Sequence, residues 1–180
     1  GRLVAGTEQR GRDTFVVYTS DNGYSWGEHA LTGKRWAYEE NTRVPLIVAG
    51  PGIEAGTTDA LILNTDLAPT VLDWAGADPL PKAQGRSLRR VLEGSADAVR
   101  DEFLYEYFLD YPYHVPAMTA VRNNESLYIE YDAGRDPQLF DIVTDPRTQD
   151  DLAAAEPERA MQLEQDLAEL RSTVAAGGVV

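Results

Sequence analysis

Residues 15–50 read FVVYTSDNGYSWGEHALTGKRWAYEENTRVPLIVAG, and the fold class turns on this stretch. It opens with Phe15-Val16-Val17-Tyr18-Thr19, apolar almost throughout rather than alternating, which is the pattern of a strand buried on both faces in a parallel sheet. Open α/β folds place their ligands at the carboxyl ends of such strands. Ser20 to Gly33 then reads as a polar loop, Lys34 to Asn41 as a short helix, and Val44-Pro45-Leu46-Ile47-Val48-Ala49 as a second apolar strand stopped by Gly50-Pro51-Gly52. Asp21, Asn22, His29 and Lys34 therefore fall behind a strand, in a layout suited to metal-assisted handling of an anion.

Outward from there, Ala60 to Leu63 reads as a further short strand. Thr65 or Asp66 can cap a helix that has Pro69 in its first turn, runs to Trp74 and stops at Gly76. From Asp97 the pattern changes to short segments with partial period-2 alternation, Phe103 to Tyr107, Met118 to Arg122 and Ser126 to Tyr131, which predict a small antiparallel sheet. Glu156 to Ala175 predicts a closing helix with Ala160, Leu163, Leu167, Leu170 and Val174 on the face that packs on that sheet. The expected division is a partial α/β core over 1–96 and a small sheet-plus-helix region over 97–180. Gly1 to Gly11 reads as the tail of a helix entered mid-pattern, so the chain is expected to be a fragment.

The 180 residues have room for one ordinary domain or a core with a small appendage, and a hydrophobic content of 43% is normal for a globular protein. A net charge of −14, from 30 acidic and 16 basic residues, repels nucleic acid and anionic membranes. Any bound anion must then be held by a few local cations and a metal. No apolar run approaches the roughly 18 residues that would span a bilayer. The chain has no cysteine, which excludes disulfides and thiolate metal sites, and nothing in it indicates a location.

Asp21 and Asn22 offer a carboxylate and an amide oxygen side by side, hard ligands suited to calcium or magnesium, although Asn22-Gly23 on its own is also a common turn dipeptide. Lys34, placed at the mouth of the expected helix, could turn its ammonium and free backbone N–H groups toward an anion; most lysines are simply solvated. His29 can move a proton near neutral pH or donate to a bound anion, and could equally be tied to Glu28 or to backbone. His114 has no motif around it and reads as a structural or rim residue. Tyr24, Trp26 and Trp36 could stack on a sugar or aryl group, but covering the core is the expected role.

The ordered run Ser20-Asp21-Asn22-Gly23, Gly27-Glu28-His29, Gly33-Lys34, Tyr38-Glu39-Glu40, Arg43-Val44-Pro45 and Pro51-Gly52 resembles the C-terminal half of the type I sulfatases, members of the alkaline phosphatase superfamily. Asp66, Pro69-Thr70, Ala75-Gly76, Gly85-Arg86-Ser87-Leu88, Ala120-Val121-Arg122, Tyr128-Ile129, Leu139-Phe140-Asp141, Asp145-Pro146 and Asp151-Leu152-Ala153 continue the resemblance in order. It implies the last part of an alkaline-phosphatase-like α/β domain followed by a small α+β subdomain with an antiparallel sheet and a C-terminal helix. It also implies that Asp21 and Asn22 are two ligands of a calcium ion that touches the sulfate group, that Lys34 binds the sulfate and neutralises the leaving oxygen, and that His29 has an active-site role. Glu39, Glu40 and Arg43 are read as scaffold for Lys34, whereas Leu127 stands where the family often has a basic residue.

The family's nucleophile, a formylglycine made from Cys or Ser in Cys/Ser-x-Pro-x-Arg, has no counterpart in these 180 residues. The resemblance therefore implies a parent that hydrolyses sulfate esters, of a small molecule or a glycan, and a chain that is inactive alone. Two alternatives stand beside it. One is a phosphonate or phosphodiester hydrolase of the same superfamily, whose loop more often carries Asp-His than Asp-Asn. The other is a non-catalytic calcium-dependent binding module, or a scaffold remnant whose exposed sheet edge invites self-association.

Overall fold

The computed structural model describes residues 14–132 and 134–178. The expected helix tail at Gly1 to Gly11 lies outside the described residues. The chain forms two compact units, residues 14–21 with 44–99, and residues 22–43 with the described part of 100–178.

In the first unit, β1 (Val16–Tyr18) pairs with β4 (Ile47–Ala49), Val17 opposite Val48. The pairing is antiparallel, and Tyr18 and Ile47 are more than half exposed, so the buried parallel strand expected at Phe15 to Thr19 is corrected on both counts. An apolar run records only that both faces of a strand tolerate burial; the direction of its neighbour is not written in it. Behind the ribbon the Phe15 ring stacks on Trp74 at 3.9 Å between centroids. Ala60 to Leu63 carries no strand; the chain there leads into a 3₁₀ turn at Asn64–Asp66 and then α2 (Leu67–Ala75). Gly76, at φ 62°, ends α2 in the left-handed region as its position predicted.

Asp66 occupies the N-cap of α2, yet its carboxylate does not cap that helix. It is fully buried and accepts from Leu63 N–H at 2.8 Å and from Arg86 N–H at 2.8 Å. Thr70 Oγ1 completes the clamp by accepting from Leu88 N–H at 2.9 Å. Gly85 must be glycine for this approach, because a Cβ there would overlap the Thr65 carbonyl. The clamped strand of chain continues into α3 (Arg89–Leu92).

The second unit is built on a four-stranded antiparallel meander, β5 (Glu102–Tyr107), β6 (Met118–Asn123), β7 (Ser126–Tyr131) and β8 (Gln138–Asp141). The first three agree with the expected strands; β8 is short and was not anticipated as one. Both faces are covered. Met118, Ala120, Leu127, Ile129 and Phe140 meet Trp36, Ala37 and Tyr38, while Val121, Tyr128 and Leu139 meet Leu163, Leu167 and Leu170 of α4 (Pro157–Ala175). Each of these large apolar side chains contributes about 1.5–3 kcal/mol on full burial. Leu127, only 1% exposed, is one of them, and its place in the core accounts for the absence of a basic residue there.

The expected helix at Lys34 to Asn41 shrinks to α1 (Glu39–Thr42). Trp36, Ala37 and Tyr38 are consecutive and all buried in one core. Helical steps of about 100° would send them to three different sides, whereas a bent, extended path delivers all three to the sheet. Lys34 therefore does not sit at a helix mouth. The expected loop at Ser20 to Gly33 also holds a small ribbon, β2 (Ser25–Trp26) against β3 (Thr32–Gly33), with a 3₁₀ turn at Glu28–Ala30 between them.

Candidate metal and anion site

Asp21 follows β1 in the first unit, exposed, with Ser20 Oγ donating to its Oδ1 at 3.4 Å. The backbone beneath it is pinned by Asn64, whose Nδ2 donates to the carbonyls of Ser20 at 3.0 Å and Asp21 at 2.9 Å. Sequence reasoning missed Asn64. Its only signal was a polar residue ahead of Thr65 and Asp66, which reads as helix-start chemistry.

In the second unit, Lys34 Nζ donates to Asn22 Oδ1 at 3.1 Å, across twelve residues of chain. Asn22 Nδ2 donates in turn to the Gly23 carbonyl at 2.7 Å, which fixes the amide with its oxygen toward the ammonium. The ribbon of β2 and β3 brings the two together, since Lys34 directly follows Gly33 and the chain reverses between Trp26 and Thr32. Glycine is required in the reversal, where Gly27 stands at φ 134°. Glu28 accepts from Trp26 N–H at 2.6 Å, and hydrogen bonds from its own amide and that of Trp26 hold its carboxyl below the usual range.

His29 is largely buried. Its ring stacks on Tyr38 at 3.9 Å, and its Nε2 lies 3.3 Å from Thr148 Oγ1 and 3.4 Å from Glu40 Oε2. Its backbone is left-handed at φ 53°, as is that of Thr148 at φ 50°. Glu39, paired with Arg122 at 3.2 Å and Arg43 at 3.8 Å, belongs to the scaffold beneath this layer. Tyr24 and Trp26 lie ring to ring at 4.6 Å and are exposed, Trp26 to 81%, so they do not cover the core as expected; Trp36 does.

Beside Lys34, an open cleft of about 350 Å³ is lined by Gly33, Lys34, Arg35, Trp36, Tyr113 and His114 among others. The Arg35 guanidinium stands 3.3 Å over the Tyr113 ring and 3.5 Å from Asp110. His114, read from sequence as structural or a rim residue, lines this cleft.

Asp21 and Asn22 are hard oxygen donors of the type calcium takes, but they are two of the 6–8 it needs. Among the described residues no group of three or more His, Asp or Glu gathers for a metal. The donor chemistry fits calcium as part of a larger ligand set. No helix among the described residues is long and apolar enough to cross a membrane.

Residues 27–173 match the family described as N-sulphoglucosamine sulphohydrolase, C-terminal. The N-acetylglucosamine-6-O-sulfatase of Bacteroides thetaiotaomicron is 37% identical over 156 residues, which are 82% of this chain and 28% of that protein. A protein solved in complex with its substrate D-glucosamine-2-N,6-O-disulfate superposes with a TM-score of 0.84 at 35% identity, over 96% of this chain and 37% of that one. The phosphonate monoester hydrolase of Agrobacterium radiobacter superposes with a TM-score of 0.78 at 25% identity, over 96% of this chain and 38% of that one. The chain thus spans between 28% and 38% of the length of these proteins.

Proposed function

The chain belongs to the sulfatase family of the alkaline phosphatase superfamily, matching its C-terminal portion, and from that premise we propose that it supplies calcium- and sulfate-binding side chains to a sulfuric ester hydrolase. The observation that carries this reading is the 3.1 Å bond between Lys34 Nζ and Asn22 Oδ1. It sets an ammonium beside a hard amide oxygen, the pair of functions that a sulfate oxygen bridging a cation and a lysine would meet. Asp21 precedes Asn22 in the chain and adds the carboxylate.

In the proposed site Asp21 and Asn22 hold part of the calcium shell. Lys34 binds the sulfate and balances charge on the leaving oxygen. Calcium, when bound, supplies positive charge for the sulfate oxygens, and the family's formylglycine supplies the nucleophile. His29 is assigned a proton-handling part through Nε2, between Glu40 and Thr148. The substrate class is a sulfate ester, and the sulfated glucosamine bound by the structural relative makes a sulfated amino sugar the first to try. The 180-residue chain has no cysteine and no Ser-x-Pro-x-Arg, so alone it is expected to release no sulfate. Exposed Tyr18 and Ile47 on the β1–β4 ribbon give it a tendency to self-associate, which sedimentation at increasing concentration measures.

The deciding experiment is sulfate release from sulfated glucosamine by the gene product that includes a Cys/Ser-x-Pro-x-Arg segment, with and without calcium, in wild type, Asn22→Ala and Lys34→Ala. Calcium-dependent turnover lost in both variants is expected. Turnover indifferent to both variants would sink the reading. The phosphonate hydrolase similarity keeps a second reading open, and faster hydrolysis of a phosphonate monoester than of the sulfate ester would favour it.

A further inference from the structure

Asn41 occupies a position that neither the motif reading nor the proposed chemistry uses, and it is the most connected polar residue around the loop. It is 3% exposed at the end of the buried run that begins at Trp36. Its backbone carbonyl accepts from Gly23 N–H at 2.8 Å, its Nδ2 donates to the Gly33 carbonyl at 2.7 Å, and its Oδ1 accepts from Ser25 Oγ at 3.1 Å. Gly23 is seated so closely on this backbone that a Cβ would overlap the Glu40 carbonyl.

These three bonds fall on particular places. Gly23 immediately follows Asn22, and Gly33 immediately precedes Lys34. One buried amide thus grips the chain next to each of the two residues whose side chains meet at 3.1 Å. Neither residue is buried: Lys34 is exposed and Asn22 partly so. An exposed lysine held to one partner loses side-chain rotamer freedom, so a contact at the surface is maintained only if its two backbones are fixed from below. The ribbon of β2 and β3, with two residues in each strand, is too short to fix them unaided.

We propose that Asn41 is a positioning residue, a three-way clamp that sets the distance between Asn22 and Lys34. This rests on the reading of Asn22 and Lys34 as ligand-binding groups only for its consequence in catalysis; the clamp itself is a property of the chain.

The 180-residue chain, isotopically labelled, tests it by nuclear magnetic resonance. Asn41→Asp keeps an acceptor for Ser25 but removes the donor to Gly33 and sets a carboxylate against a carbonyl. The expected result is loss of the through-space contact between the Asn22 side-chain amide and the Lys34 ε-methylene. Exchange of the Gly23 amide should rise about tenfold or more while amides of β6 and β7 keep their wild-type rates, because a local opening moves only the amides it exposes. Persistence of the Asn22 to Lys34 contact, or a rise at Gly23 no greater than that in β6 and β7, would overturn the proposal. Should Asn41→Asp not fold, Ser25→Ala removes only the hydroxyl bond to Asn41; a smaller rise confined to Gly23 is then expected, and none would count against the clamp. A calcium titration of the wild-type chain, read at Asn22, separates the two readings. No response with the contact intact removes the catalytic reading and leaves the clamp, whereas a response that survives loss of the contact in Asn41→Asp does the reverse.

Discussion

The imidazole of His29 lies flat on the phenol ring of Tyr38, with 3.9 Å between centroids and 8° between planes. With Thr148 Oγ1 at 3.3 Å from Nε2, the histidine is a packing element of the second unit whatever else it does. His29→Ala removes a stacked pair, about 0.5–1.5 kcal/mol, and a hydrogen bond, about 1 kcal/mol, so a loss near 2 kcal/mol in urea unfolding is expected. If His29 also handles a proton in the hydrolase, His29→Gln shifts the pH dependence of sulfate release; an unchanged profile with lowered stability leaves it a packing role alone.

Lys34 should behave in the opposite way. It is exposed, and its bond to Asn22 lies at the surface, so Lys34→Met should change stability by no more than about 0.5 kcal/mol. Titration of the chain with inorganic sulfate should nevertheless lose its effect on the Asn22 resonances. A sulfate response equal to wild type would remove Lys34 from the anion site.

Asp66 is the buried carboxylate of the first unit, and Asp66→Ala strands the amides of Leu63 and Arg86. Each unsatisfied buried amide costs about 1–3 kcal/mol, so a loss of about 3 kcal/mol is expected, and Asp66→Asn, which keeps one oxygen, should lose less. Thermal unfolding of the two variants provides the comparison; equal losses would mean that only one of the two bonds matters.

Two glutamates of the small sheet give the chain a pH dependence of definite sign. Burial pushes the Glu102 carboxyl up from its ordinary 4.5, with Asp166, Asp101 and Glu169 adding to the shift. Burial likewise raises Glu130, assisted by Glu164 and Asp132 and opposed by Arg171 and a Tyr128 hydrogen bond. A carboxyl raised on folding favours the folded state when protonated. That contribution is complete below pH 4.5 and is lost as pH climbs through the folded value. Glu102→Gln and Glu130→Gln should therefore raise the melting temperature at pH 7 and shrink the gain seen on acidifying toward pH 5. Asp141, lowered chiefly by the Thr144 amide, works in reverse and withdraws stability as pH falls below its ordinary 3.8.

Much of the second unit was legible because its periods are simple. Ala160, Leu163, Leu167 and Leu170 step around α4 at helical spacing, and the strands from Phe103, Met118 and Ser126 end at turns that their Asn and Gly residues announce. The candidate residues stood out by chemical type, and the bond between Asn22 and Lys34 joins two of them. What escaped was whatever depended on a distant partner. Asp66 looks like a helix cap until Arg86, twenty residues on, offers its amide. Trp36, Ala37 and Tyr38 look helical until the sheet that buries them exists. Asn41 and Asn64 were unmarked because their work is done on backbone carbonyls and amides, which every residue has.

The path of the chain between the two units bears on how such a protein can be taken apart. Residues 22–43 belong with 100–178 although they lie between 14–21 and 44–99, so the polypeptide passes from one unit to the other three times. No single cut leaves both units whole: any break severs one of them from part of its own core. Trp36, Ala37 and Tyr38 would be parted from Ile129 and Phe140 by a division that seems natural in linear sequence. Neither unit can be inherited, grafted or exchanged by one recombination crossover, and the anion-handling loop travels with the sheet that supports it only when both flanking segments come along.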